Sequence, residues 1–382
     1  MTAGFPTKAN WSAGDLLTSA QMDDLAGTVN FLSPVGQANG STLVANSANA
    51  SGLGWNQNFA AGKNKIINGD FGIWQRGTSF SNPAFLAFNA DRWQSAIDNV
   101  PTSQTISRQT FTPGTAPVSG YEGQYFWRSL ITTVGTNTVM QHLCTMENVQ
   151  TYAGQTATVS FWAKADSARN LGVLLEQNFG SGGSGSVQTS TTTLSLTTAW
   201  TRFTVTIAIP SISGKTVGAS SFLRLILVQA SASGSQLDLW GVQVEAGSVA
   251  TAFQTATGTL QGELAACERY AWKQDASIAN GLYYRFGSGY NTTTGVQEIY
   301  VQFPVTMRTT PSLTTTGTPA HYGIFTVNTV LTATSLPTIG TNGSNNSGAN
   351  VLTGTTGLVA GQGSMLIANN SNTAYLLWTA EL

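Results

Sequence analysis

Charge is scarce in this chain. Asp, Glu, Lys and Arg make up 9% of its 382 residues, against about 25% in an ordinary soluble domain. Between Thr309 and Ala380 there is none at all, so that stretch must be wetted by Ser, Thr, Asn, Gln and backbone. The net charge is −1, which leaves no basic field to hold phosphates and argues against a nucleic-acid partner. Cysteine is nearly absent too. Cys144 and Cys267 are too few for a disulfide framework, and both are expected to be reduced and buried. Of the two histidines, His142 and His321, neither has a His or Cys at metal-ligand spacing or an obvious base role. Nucleophile elbows and phosphate-binding glycine loops are missing as well. No apolar run is long enough to span a membrane. The opening MTAGFPTKANWSAGD lacks the basic and apolar regions of a signal peptide, so synthesis in a cytosol without membrane insertion is expected.

What the chain does have is apolar content, 41%, too much for a disordered polymer. Residues 1–33 hold one helix candidate. Thr18 and Gln21 form a capping-box pattern, and Met22, Leu25, Val29 and Leu32 follow at heptad-like spacing. So short a helix needs a partner, either its own domain or other chains. Residues 34–63 are small and polar and read as a linker or stem. From 64 to 258 the pattern is that of strands. TATVSFWAKA places Val159, Phe161 and Ala163 on one face, and Ser160, Trp162 and Lys164 on the other. WTRFTVTIAIP alternates likewise, SFLRLILVQA is apolar on both faces, and LDLWGVQVE closes the set. Many short strands with turn-rich loops predict a sandwich. Residues 259–382 begin with a helix candidate, TLQGELAACERYAW, with Leu260, Leu264, Cys267 and Ala271 on one face. Strands follow in QEIYVQFPVTM, GIFTVNTVLTA and AYLLWTAEL, with a loop expected at TIGTNGSNNSGANVLTGTTG. The fold class expected is therefore all-β, a sandwich followed by a second β-rich domain, with one short N-terminal and one connecting helix.

The segment NKIINGDFGIWQRGTSF, followed by DRWQ, concentrates charge and tryptophan in a chain poor in charge. No metal-ligand set or catalytic pair surrounds it. The seventeen carboxylates include no two whose spacing marks a glycosidase pair. The segment reads better as the first strand of the sandwich, with Ile66, Phe71 and Trp74 in the core and Arg76 and Arg92 paired to Asp70 or Asp91. Aromatic rings can equally stack on sugars or fill a core. Trp162 stands evenly between exposure and a second packing surface. In YYRFGSGYN, which reads as a loop, Tyr284, Arg285 and Tyr290 are the glycan candidates, set against turn packing.

Taken in order, IINGDFGIWQRGTSF…ADRWQ, VSFWAKA, WTRFTVTIAIP and LDLWGVQVEAGSVATAFQ resemble a module of bacteriophage tail fibres and minor tail proteins, itself similar to jelly-roll carbohydrate-binding modules. ELAACERYAW, VQFPVTMRTTPSL and the final WTAEL, with WSAGDLLTSAQMDDL near the start, extend that resemblance along nearly the whole chain. It implies a virion protein and a homotrimer, fixed to tail or baseplate proteins through its N-terminus and contacting host surface glycans with its distal domains. Since no catalytic constellation stands out in the sequence, the protein is expected not to be an enzyme. A tail depolymerase and a purely structural fibre or decoration protein are the alternatives. The resemblance also implies structural calcium at Asp70 and Asp238, although the supporting acidic ligands are missing and calcium takes about six to eight oxygens.

Overall fold

The computed structural model describes residues 41–45, 53–57, 62–97, 103–118, 121–134, 140–230, 232–277 and 282–382. The helix expected within 1–33 lies outside the described residues, as does most of 34–63. Within that stretch β1 (Ser41–Ala45) pairs antiparallel with β2 (Leu53–Gln57).

The main body is a jelly-roll β-sandwich. Its strands are β3 (Ser79–Ser81), β4 (Ala87–Phe88), β5 (Trp93–Ile97), β6 (Ser103–Thr110), β7 (Tyr125–Thr133), β8 (Met140–Glu147) and β9 (Thr156–Ala165). They continue with β10 (Arg169–Asn178), β11 (Val187–Gln188), β12 (Thr192–Leu196), β13 (Thr201–Ala208), β14 (Phe222–Gln229) and β15 (Gln236–Ala246). One sheet runs β11-β10-β14-β8-β5-β4, with β12 also on β10, and the other runs β13-β9-β15-β7-β6-β3. The alternation read from sequence sets the inner faces. Val159, Phe161, Ala163, Val205 and Ile207 meet Leu171, Val173, Leu223, Leu225 and Leu227 across the core. Each Val, Leu, Ile or Phe side chain among them contributes about 1.5–3 kcal/mol of burial free energy.

The outer face of the second sheet is covered as well. Trp162, Trp240, Phe111, Phe126 and Phe253 form a separate aromatic cluster there, with Tyr121 and Trp200 packed on it. A bulge between Trp240 and Gln243 turns Trp240 outward while Val242 and Val244 stay in the core.

The segment expected to form the first strand is instead a series of turns. Asn68 and Phe71 have positive φ of 59° and 56°. The Asn68 side chain holds the turn closed, accepting from the Ile73 N–H and donating to the Ile73 and Asp91 carbonyls. The apolar part of the expectation holds, since Ile66, Phe71 and Trp74 are in the core. A Cβ on Gly69 would lie 2.2 Å from the Val242 carbonyl oxygen, so this turn sits directly against β15.

The helix α1 (Leu260–Glu268) leads to β16 (Ala271–Asp275), β17 (Arg285–Asn291), β18 (Val296–Gln302), β19 (Ser312–Thr315), β20 (Tyr322–Thr326) and β21 (Thr329–Thr332). β22 (Thr338–Ile339), β23 (Gly348–Gly354), β24 (Gly363–Ala368) and β25 (Tyr375–Thr379) complete the chain. A three-stranded sheet, β16-β25-β19, and a seven-stranded one, β21-β20-β24-β17-β18-β23-β22, share a core that includes Phe286, Ile299, Val351, Leu366, Leu376 and Trp378. All strand pairings among the described residues are antiparallel.

Four sequence expectations need correction here. Leu260 and Leu264 of α1 are exposed, and its buried residues are Glu263 and Cys267. The helix ends before Ala271, which is buried in β16, so the four positions never share a face. GIFTVNTVLTA is a hairpin turning at Val327 and Asn328, both at positive φ. YYRFGSGYN is not a loop, since Arg285–Asn291 is the middle strand of the seven. Its glycines serve close approach. A Cβ on Gly289 would stand 2.0 Å from the Glu298 carbonyl oxygen. For the same reason about a third of the expected loop 338–357 is β23, where the Tyr300 hydroxyl lies over Gly348. Cys144 and Cys267 are free and buried, and no described helix is long and apolar enough to cross a membrane.

Candidate functional site

The charged cluster singled out in the sequence is a joint. Gln75 donates to the Ala271 carbonyl at 2.6 Å and accepts from the Lys273 N–H at 3.2 Å, extending the edge of β16 as another strand would. Arg76 reaches Glu381 at 2.8 Å and Asp91 at 3.6 Å. The guanidinium of Arg92, fully buried, pairs with Glu381, donates to the Thr145 carbonyl at 2.8 Å and lies 3.5 Å from the Tyr270 ring. Arg308 closes the joint by donating to the Ala380 and Glu381 carbonyls. Burial pushes the Asp91 carboxyl up to about 6, with Arg76 and Gln75 pulling the other way. The sequence expectation that Arg76 pairs with Asp91 agrees with this geometry. For Arg92 the partner is Glu381, nearly three hundred residues away and beyond the reach of local spacing.

The two residues assigned to calcium do not form a site. Asp238 is fully buried and takes two bonds of 2.7 Å from Arg128, with Lys164 at 3.7 Å and Gln236 at 3.1 Å. Its oxygens are already neutralised by cations. Asp70 belongs to the turn before Gly72, whose N–H it accepts at 3.4 Å, and its carboxyl is raised to about 6 by burial and by Glu263. Glu263 accepts from the Asn68 and Thr257 N–H groups and the Thr257 hydroxyl. Among the described residues no three His, Cys, Asp or Glu side chains come together as metal ligands. Asp70 does line a cleft of 420 Å³ with Tyr121, Glu122, Tyr125 and Leu260.

The glycan candidates divide. Trp162 is only 8% exposed, enclosed by Trp240 and Phe253 with the Arg202 guanidinium 4.8 Å above its ring. No open face remains for a sugar, so its assignment is corrected to a packing residue. Tyr284 turns inward onto Phe286, ring centroids 5.1 Å apart. Arg285 and Tyr290 stand exposed on the outer face of the seven-stranded sheet. The pairings Arg285–Ile367, Ser288–Met365 and Tyr290–Gly363 put these side chains on that face, and Phe325 joins them opposite Met365.

Two tyrosines of this face were not singled out in the sequence. Tyr283 is 56% and Tyr300 46% exposed, beside Tyr290 at 50%. The alternation of QEIYVQ, buried at Gln297, Ile299 and Val301, carried the signal for Tyr300. Tyr283, Arg285, Phe325, Val330, Met365 and Ile367 line a cavity of 320 Å³, at the small end of the usual ligand-pocket range of about 300–1,000 Å³. The histidines are structural. His142 is fully buried between Ser95 at 3.1 Å and Gln229 at 2.8 Å, and burial lowers it to about 4. His321 rests on Thr316 and Thr373.

No family model matches the chain, and no curated protein matches it. Solved structures similar to part of it include the enzymatically active domain of tailspike protein 4 of bacteriophage CBA120, at 13% identity and a TM-score of 0.33. That match covers 48% of this chain and spans only 22% of the tailspike chain. The CBM22-1 xylan-binding domain of Paenibacillus barcinonensis Xyn10C is 13% identical with a TM-score of 0.28, covering 50% of this chain and 100% of that one. TmCBM61 in complex with beta-1,4-galactotriose is 10% identical with a TM-score of 0.29, covering 48% and 99%.

Proposed function

We propose that this chain is a receptor-binding protein of a bacteriophage tail. In this reading it is a virion component made in the host cytoplasm and fixed to tail or baseplate proteins by its N-terminal segment. It assembles as a homotrimer and presents its C-terminal sheets to saccharides of the host surface, binding them without cleavage. The observation that carries the binding reading is the outer face of the seven-stranded sheet. There three half-exposed tyrosines, Tyr283, Tyr290 and Tyr300, share a nearly uncharged face with an apolar cavity. Exposed rings on a rigid scaffold offer apolar area at low conformational cost and carry a hydroxyl for hydrogen bonding. The joint lends support to the tail reading. The sequence blocks that resemble tail proteins, distant in the chain, are the ones that meet there, through Gln75, Arg76, Arg92, Tyr270, Ala271 and Glu381.

Incubating the purified chain with capsular and wall polysaccharides tests this, with retention and released oligosaccharides both measured. Retention without release is expected. Release abolished by one Asp or Glu substitution would replace the reading with a depolymerase. No retention, with virions losing integrity when the protein is missing, would replace it with a structural fibre. Mass photometry tests the trimer, which a single 40 kDa species at micromolar concentration contradicts.

A further inference from the structure

We infer that the cavity on the outer face of the seven-stranded sheet takes a saccharide unit bearing a carboxylate, a uronic- or sialic-type sugar, and that Arg285 selects it. This rests on the glycan-binding reading above and narrows its substrate class.

Few charges are available in this part of the chain. From residue 282 to the end of the sequence the charged side chains are Arg285, Glu298, Arg308 and Glu381. Arg308 is held by two carbonyl oxygens and Glu381 by Arg76 and Arg92. Arg285 is exposed, and no ion pair among the described residues includes it. Glu298 shares its face but pairs with Tyr290, five residues along β17. At about 3.3 Å per residue that is roughly 15 Å from Arg285, too far to neutralise it.

A free guanidinium therefore stands at the wall of a cavity whose other walls are Tyr283, Phe325, Val330, Met365 and Ile367. Its planar fork of donors matches a carboxylate bidentately, and among the described residues no ion pair occupies it. The apolar floor and the Tyr283 ring suit the C–H face of a pyranose. A neutral sugar would offer the guanidinium only hydroxyl acceptors, whereas a carboxylate offers a charge-assisted, bidentate pair. An acidic peptide would be expected to add to a strand edge, whereas this cavity opens on the face of the sheet and is lined by side chains.

The test measures binding of the full chain to immobilised hyaluronan tetrasaccharide and 3′-sialyllactose. Their counterparts with the carboxylates reduced to alcohols, and a poly-glutamate peptide, complete the set. At least one carboxylated saccharide is expected to bind about tenfold or more tighter than its reduced counterpart. Arg285→Gln should abolish that preference, and Arg285→Lys should restore part of it. Tyr283→Ala should weaken both forms. Because both side chains are exposed, these variants should fold, which circular dichroism verifies. If carboxylated and reduced saccharides bind alike and Arg285→Gln changes nothing, the inference fails while the glycan reading stands. If no saccharide is retained, the glycan reading fails with it. Arg285-dependent capture of poly-glutamate alone overturns the saccharide assignment.

Discussion

Replacing Glu381 is the most informative perturbation of the architecture. Its carboxylate neutralises two buried guanidiniums, Arg92 at 1% and Arg76 at 9% side-chain exposure. In Glu381→Ala, Arg76 keeps Asp91 at 3.6 Å. Arg92 keeps only the Thr145 carbonyl and the Tyr270 ring. Removing one partner of a buried pair costs about 3–5 kcal/mol, because the remaining charge stays desolvated. Replacing the pair by apolar groups of similar size is often neutral. The Glu381→Ala variant should therefore lose about 3–5 kcal/mol in urea denaturation followed by tryptophan fluorescence. The double variant Arg92→Met/Glu381→Leu should recover most of that loss. A loss below about 1 kcal/mol for Glu381→Ala, or a double variant no better than the single one, would refute the view that Arg92 is stranded without Glu381.

His142 gives a pH signature. Buried and neutral, it binds a proton only near pH 4 in the folded chain, against an ordinary value of 6.5. The stability it contributes is complete above pH 6.5 and is lost as pH falls towards 4, by about 3 kcal/mol at most. Asp70 and Asp91, both raised to about 6, act with the opposite sign, so the reading is the difference between wild type and His142→Gln at each pH; a difference that does not change from pH 7 to 4 contradicts it. Trp162→Ala should cost about 3–5 kcal/mol in the same urea assay, whereas Tyr290→Ala should stay within about 0.5 kcal/mol; equal losses would show that the two rings are wrongly placed. Since Arg128 and Lys164 occupy the Asp238 carboxylate, calcium or EDTA should leave Tm unchanged within about 1 °C, and a shift of several degrees would revive the metal site.

The sandwich was legible wherever one strand face is buried and the other is not. The stretch TATVSFWAKA coincides with β9, and its inner residues Val159, Phe161 and Ala163 follow the alternation. The same pattern could not tell whether Trp162 met solvent or a second aromatic layer, because that layer is brought in by Phe111 and Phe253 from outside the strand. Glycine misled in the C-terminal sheets. YYRFGSGYN carries the composition of a turn, yet its glycines let neighbouring strands approach closely. The opening cluster failed as a strand for a similar reason. Its polar residues are spent on closing turns and on gripping Ala271 and Glu381, partners that spacing along the chain does not reveal. In the sequence Arg285 and Tyr290 read as glycan candidates on a loop, whereas both stand exposed on a strand face. Tyr300 was legible in the alternation of QEIYVQ, and Tyr283 lies just before β17, where no strand pattern marks it.

The central claim is that the outer face of the seven-stranded sheet binds surface glycans. The most direct test compares retention of the wild-type chain and the Tyr283→Ala/Tyr290→Ala variant on immobilised bacterial surface polysaccharide. The account predicts unchanged thermal stability and loss of most retention in the variant. Equal retention by the two chains would contradict it.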